Sequence, residues 1–145
     1  MSLFFFQDIN DSLISNIEKK VKLTNDYKLF DIETYDSFEQ FSEGAKITLF
    51  KSCGKIVKAS LIGYGTTGSL KQEFYFDTLG LYYVKEELRL NNTNNINTSR
   101  IFINNDIIIR WIENDIILSN NKSAFEGKIR SLNNSEVVIE FKGGG

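Results

Sequence analysis

The chain has 145 residues, 41% of them hydrophobic and 25% charged, with a formal net charge of −2. That is the size and composition of one globular domain, and it excludes a wholly disordered chain. With no His, no Pro and a single Cys, the chain excludes an internal disulfide framework, a Cys/His zinc site and histidine acid–base chemistry. The near-balanced charge lacks the clustered basic excess of a nucleic-acid or membrane surface.

The chain opens on an apolar run, Leu3-Phe4-Phe5-Phe6. This run falls short of the roughly 7–15 residues of a signal-peptide core and the roughly 20 of a membrane span. The expectation is a cytoplasmic, virion-associated or assembly-associated protein without membrane contact. Three consecutive Phe cannot all face one way on a helix or strand. Either they pack beneath the chain's own sheet or staple a helix start, or they form an apolar arm that docks on a protein partner or a second copy. A buried Phe contributes about 1.5–3 kcal/mol, so all three are not expected in water. Phe4, Phe5 and Phe6 are therefore the candidate partner-binding residues.

Residues 8–23 predict a helix. Ile9, Leu13, Ile17 and Val21 recur at helical spacing, and Ile14 widens the stripe. Asp8 or Asn10 is placed to cap it. Asp8 and Asp11 at the start and Lys19, Lys20 and Lys22 at the end suit the helix dipole. Residues 24–45 are ambiguous. Tyr35–Phe41 fits a short helix ending near Gly44, while the alternation across Leu29–Thr34 fits an edge strand. Asp31, Glu33 and Asp36 crowd this stretch but lack the order of a calcium loop.

From Lys46 the pattern is β. The expected strands are Lys46–Lys51, Lys55–Ile62, Lys71–Asp77, Leu81–Leu90, Arg100–Ile103, Asp106–Ile112, Ile116–Leu118, Ala124–Leu132 and Glu136–Lys142. They are β-branched and aromatic, with Gly, Asn and Asp between them. Cys53 lies at a turn between two lysines, which favour a thiolate, but no His is present to act as its base. It reads as an incidental thiol.

Gly63-Tyr64-Gly65-Thr66-Thr67-Gly68 matches G-x-G-x-x-G. A dinucleotide site needs a helix directly after the glycines, and here a strand follows. A kinase-type loop needs downstream motifs that this chain lacks. The segment reads as a hairpin loop.

Tyr64, Lys71, Tyr75 and Lys85, with Tyr82, Tyr83, Arg110 and Trp111 nearby, carry the aromatic and basic residues of a single-strand nucleic-acid face. Glu73, Glu86 and Glu87 dilute that charge, and core plus ordinary surface explains the same residues. Glu86-Glu87 and Glu113–Asp115 read as solvated carboxylates. A carboxylate enzyme would need a pair at a fixed separation.

Asn91–Ser99 reads as a long surface loop dividing the β region 46–142. The last two strands read as a hairpin with a turn at Asn133-Asn134-Ser135. That register sets Ile129 opposite Ile139 and Lys128 opposite Glu140, with Phe141 over Gly127.

The expected fold is one mainly β (α+β) domain over residues 1–145. Its N-terminal helix packs on an antiparallel sheet that forms a small barrel or sandwich. The pattern from Asp106 onward resembles a piece of an SH3-like or OB-like barrel. The leading expectation for function is a non-enzymatic interaction or structural subunit of a larger assembly, such as a virus particle or secretion machine, or an inhibitor of one target. No catalytic residue, cofactor or metal is expected. The alternatives are a nucleic-acid-binding β-barrel and, last, a carboxylate-based enzyme.

Overall fold

A computed structural model describes residues 3–37, 43–91, 93–118 and 124–133, with side chains from residue 10 onward except at Ser37. Eight antiparallel strands form one sheet: β1 Asp31–Ser37, β2 Ala45–Ser52, β3 Lys55–Tyr64, β4 Gly68–Asp77, β5 Gly80–Leu90, β6 Ile96–Asn104, β7 Ile107–Glu113 and β8 Ile116–Ile117. Each strand pairs with its neighbours in sequence, so the sheet is a meander. Among the described residues it is open, since β1 and β8 are its two edges. The expected antiparallel sheet is present, and its expected closure into a barrel is not.

Three of the hairpins share one plan. β2–β3 turns at Cys53-Gly54 and β6–β7 at Asn105-Asp106, where both central residues have positive φ (52° and 77°; 51° and 64°). That backbone twist suits tight hairpins, and Gly, Asn and Asp tolerate it. β4–β5 turns at Thr78-Leu79, with Gly80 at φ 111° and the Leu79 N–H donated to Asp77 Oδ1 at 2.8 Å. In each second strand one residue is then left unpaired: Val57, Tyr82 and Ile109, between the partners of Phe50/Lys51, Tyr75/Phe76 and Phe102/Ile103. A bulge bends its strand. Three at equivalent positions curl the sheet, so that Ile47 on β2 and Trp111 on β7 belong to one apolar cluster.

The helix α1 spans Leu3–Asp26, longer at both ends than residues 8–23. Its first turn therefore holds no acidic residue and its last no basic one, and the expected dipole match is lost. Ile14 and Ile17 are buried against Tyr75, Tyr82, Tyr83, Phe102 and Ile112, with Val21 alongside.

The axis of α1 runs across the strands. Lys58, Tyr75, Tyr83, Phe102 and Arg110 are successive cross-strand partners from β3 to β7. Asp11 pairs with Arg110 at one end of this row (2.8 Å), and Asn25 accepts from Lys58 (2.8 Å) and Tyr75 (3.1 Å) at the other. Fourteen residues of helix rise about 21 Å, and four strand spacings cover about 19 Å. The helix lies along the row.

Residues 124–133 form a second helix, α2, where a strand was expected. Phe125, Ile129 and Leu132 pack on the opposite face of the sheet, against the cluster of Ile47, Leu49, Leu61, Phe74, Val84, Ile101 and Trp111. Lys128 meets Glu86, and its expected partner Glu140 lies outside the described residues. The expected strand Glu136–Lys142 and residues 38–41 of the alternative helix lie outside the described residues. Within residues 24–45, the edge strand is the form observed. The Asn-rich loop shortens to residues 91–95, because Ile96–Ser99 pair with β5 as part of β6.

Candidate functional site

Alternation along the strands sends Phe74, Val84, Ile101 and Trp111 to the α2 face. Two residues further towards the other end of each strand, the same face carries Gln72, Glu86, Ser99 and Glu113. These four are successive cross-strand partners on β4, β5, β6 and β7. The apolar core thus ends on a polar row.

Gln72 is 4%, Glu86 8% and Ser99 9% exposed. Gln72 Nε2 donates to Glu86 Oε1 at 2.7 Å, and Lys128 Nζ donates to Glu86 Oε2 at 2.8 Å. Lys128 also sits over the Trp111 ring, 5.2 Å from its centroid. Ser99 Oγ donates to Glu113 Oε1 at 3.4 Å. Beside the row, Asn114 Nδ2 donates to Asn97 Oδ1 at 3.2 Å and Asn114 Oδ1 accepts the Thr98 N–H at 2.9 Å. These groups line a cleft of about 470 Å³ between the sheet and α2.

Glu86 was expected on the solvated surface, and the structure buries it instead. The signal was present in β5: if Val84 points inward, so must Glu86. What hid it is that β5 is buried on both faces along Tyr82–Val84.

The residues of the nucleic-acid alternative share the other face but not its environment. Tyr75 is 2% exposed beneath α1, with its phenol on Asn25, so its ring is closed to stacking. Tyr64 and Lys71 are exposed on the part of the face α1 leaves open. Lys85 lies 3.8 Å from Glu87. Burial raises the Glu73 carboxyl pKa, but the Lys58 hydrogen bond and the charges of Lys58, Lys71 and Lys85 outweigh it and hold the group below its ordinary value. Glu73 thus lies within reach of the charges of Lys71 and Lys85.

Phe4, Phe5 and Phe6 lie in the first two turns of α1. From Asp11 over Arg110, these turns run about 12 Å further along the axis, and no described strand pairs with β7 beside Arg110.

The Gly63–Gly68 segment is a hairpin loop. The Gly65 N–H donates to Gly68 O at 2.9 Å, and Asn91 donates through its N–H to Thr67 O (2.8 Å) and through Nδ2 to Thr66 O (3.0 Å). A Cβ on Gly68 would lie 2.2 Å from the Arg89 carbonyl oxygen, so close backbone approach explains that glycine. Cys53 is exposed in its turn. Among the described residues no group of three His, Cys, Asp or Glu could hold a metal ion, and no helix is long and apolar enough to cross a membrane.

No family model matches the chain, and neither a curated protein nor a solved structure is similar to it at a significant level.

Proposed function

We propose that the protein is a non-enzymatic interaction subunit that docks on a protein partner, or on a second copy of itself, through the N-terminal end of α1. The observation that carries this reading is the course of α1. Its middle and C-terminal turns are seated over one row of the sheet, and its first two turns continue past the last strand of that row. An apolar sequence, Leu3-Phe4-Phe5-Phe6, in turns that run on past that strand is suited to docking on a neighbour. A role in a larger assembly follows from the same reading.

The test is the double substitution Phe4→Ser/Phe5→Ser in the full chain. Native mass spectrometry and light scattering should show association, or retention of a partner, by the parent and its loss in the variant, with an unchanged melting temperature. A parent that is monomeric and retains nothing, or a variant that associates equally well, overturns the proposal.

The open part of the α1 face supports a second reading, single-strand nucleic-acid binding through Tyr64, Lys71 and Lys85 without Tyr75. Such binding must weaken as salt rises. An oligonucleotide titration that is flat at low and moderate salt ends it.

A further inference from the structure

A groove of about 760 Å³ lies at the C-terminal end of α1, where the helix meets the turns of β2–β3 and β4–β5. Leu23 and Tyr27 form the helix side, and Phe30, Ile56, Val57 and Phe76 line the rest. Leu23 is 70% and Tyr27 49% exposed. Large apolar side chains grouped on an open groove mark an interaction surface. The charges in its walls are few. Lys20 and Asp77 pair with each other. Lys55, exposed on the β2–β3 turn, has no ion pair among the described residues.

The same chain carries a sequence that matches this groove. Leu3-Phe4-Phe5-Phe6-Gln7 is uncharged, and the next residue is Asp8. An apolar run suits the apolar walls, and Asp8 has the sign that complements Lys55. Two buried Phe bring about 300–500 Å², roughly half of the ~800 Å² per partner of a stable interface. The run cannot fill the groove of its own copy. Eighteen residues of helix, about 27 Å, separate Phe5 from Leu23. One end of α1 thus carries an apolar run, the other an apolar groove, and only a second copy can bring them together.

We propose that the Phe-rich start of α1 in one copy docks in the groove at the C-terminal end of α1 in a second copy, so that copies join head to tail. This contact presupposes the docking role given to the N-terminal end of α1 and supplies its receptor. It is heterologous: every copy keeps one end free to insert and one free to receive. Association therefore continues past a dimer, into a ring or an open filament.

The experiment uses the full chain and two double variants, Phe4→Ser/Phe5→Ser in the run and Leu23→Gln/Tyr27→Gln in the groove. Light scattering and native mass spectrometry follow mass against concentration. The parent should grow beyond a dimer as concentration rises. Each variant alone should associate at least about ten-fold more weakly, the scale of losing one buried apolar side chain. Leu23 and Tyr27 are exposed, so the groove variant should keep the parent melting temperature. An equimolar mixture of the two variants should form a heterodimer and nothing larger, because one keeps its run and the other its groove. Should the groove variant fail to fold, Lys55→Glu leaves the apolar walls intact and sets a like charge against Asp8. It should weaken association, most at low salt, and no change overturns the contact. A groove variant that associates like the parent, where the run variant does not, overturns the head-to-tail contact and leaves docking through Phe4 and Phe5 standing. The contact is also overturned by a mixture without heterodimer, or by a parent that retains another partner but never itself. A run variant that associates like the parent, or a parent that neither associates nor retains anything, overturns both.

Discussion

The two faces of the sheet are built from alternate residues of the same strands, yet they are covered in different ways. On the α2 face a continuous apolar cluster runs from Ala45 on β2 to Trp111 on β7 and takes in Leu132 of α2. The curl of the sheet lets this face bury itself, and α2, only about 15 Å long, completes the cover. On the α1 face one aromatic row, Tyr75, Tyr83 and Phe102, lies under a single helix, and charged residues flank it. The first face is held by packing of many strands on one another. The second depends on one element laid across it. The difference teaches where function has room. The self-buried face yields a cleft only where its row turns polar, and the helix-covered face leaves surface free on either side of α1.

Adjacent residues on β4 test this contrast most strongly. Phe74 is fully buried on the α2 face, so Phe74→Ala should destabilise by about 3–5 kcal/mol in urea unfolding. Tyr75 points the other way, and Tyr75→Phe removes only a phenol that donates to Asn25 at 3.1 Å. That substitution should cost about 1 kcal/mol. Equal losses would mean that the α1 face is as tightly determined as the core.

How far the sequence reveals the contrast depends on the residue. β2 to β7 were legible because Ile47, Leu49, Phe74, Val84 and Ile101 alternate with polar residues or lie in β-branched runs. α1 was legible from Ile14, Ile17 and Val21. α2 was not, because Phe125, Gly127 and Ile129 fit period 2, while Phe125, Ile129 and Leu132 fit a helix. Gly127 carries no side chain to decide between them. In the helix that forms, Phe125 meets Trp111, with ring centroids 5.7 Å apart, a contact from a distant strand that the local pattern does not contain. The polar row was hidden for a related reason. Gln72, Glu86, Ser99 and Glu113 become one feature only when the register of four strands is known, and the bulges at Tyr82 and Ile109 shift that register. A single-strand reading has no access to it.

A smaller effect separates the faces by pH. Tyr75, Tyr82 and Tyr83 all lie on the α1 face. Burial is the largest influence on each and raises its phenol above the ordinary value, against the Asn25, Thr24 and Arg100 contacts that lower it. In the unfolded chain these phenols ionise near pH 10. A raised folded value means that the folded state holds its protons longer. The contribution is therefore fully present below about pH 10 and is lost as pH rises through the folded values. Melting temperature should fall above that pH, together with growth of the phenolate absorbance band. Tyr75→Phe should make the fall shallower. A melting temperature that stays flat into the alkaline range would mean that α1 does not shield this row.

The smallest expected effect bears on the course of α1 itself. Asp11 and Arg110 join the helix to β7 one turn after the Phe-rich run, and the Asp11 side chain is largely exposed. Pairs of this kind couple by about 0.2–1 kcal/mol and weaken with salt. A double-mutant cycle of Asp11→Asn and Arg110→Gln, read by urea unfolding, should give a coupling in that range that shrinks in high salt. Its size matters less than its existence. Asn25 on Lys58 and Tyr75, and Asp11 on Arg110, mark the two ends of the stretch of α1 laid along the row, and the course of its first turns past β7 follows from that line. Zero coupling at low salt would leave the apolar contact of Ile14 and Ile17 with Ile112 as what fixes α1 on β7, and remove the ion pair as support for the line of its N-terminal turns. A measured coupling would leave the row, the helix and the overhang as one connected geometry.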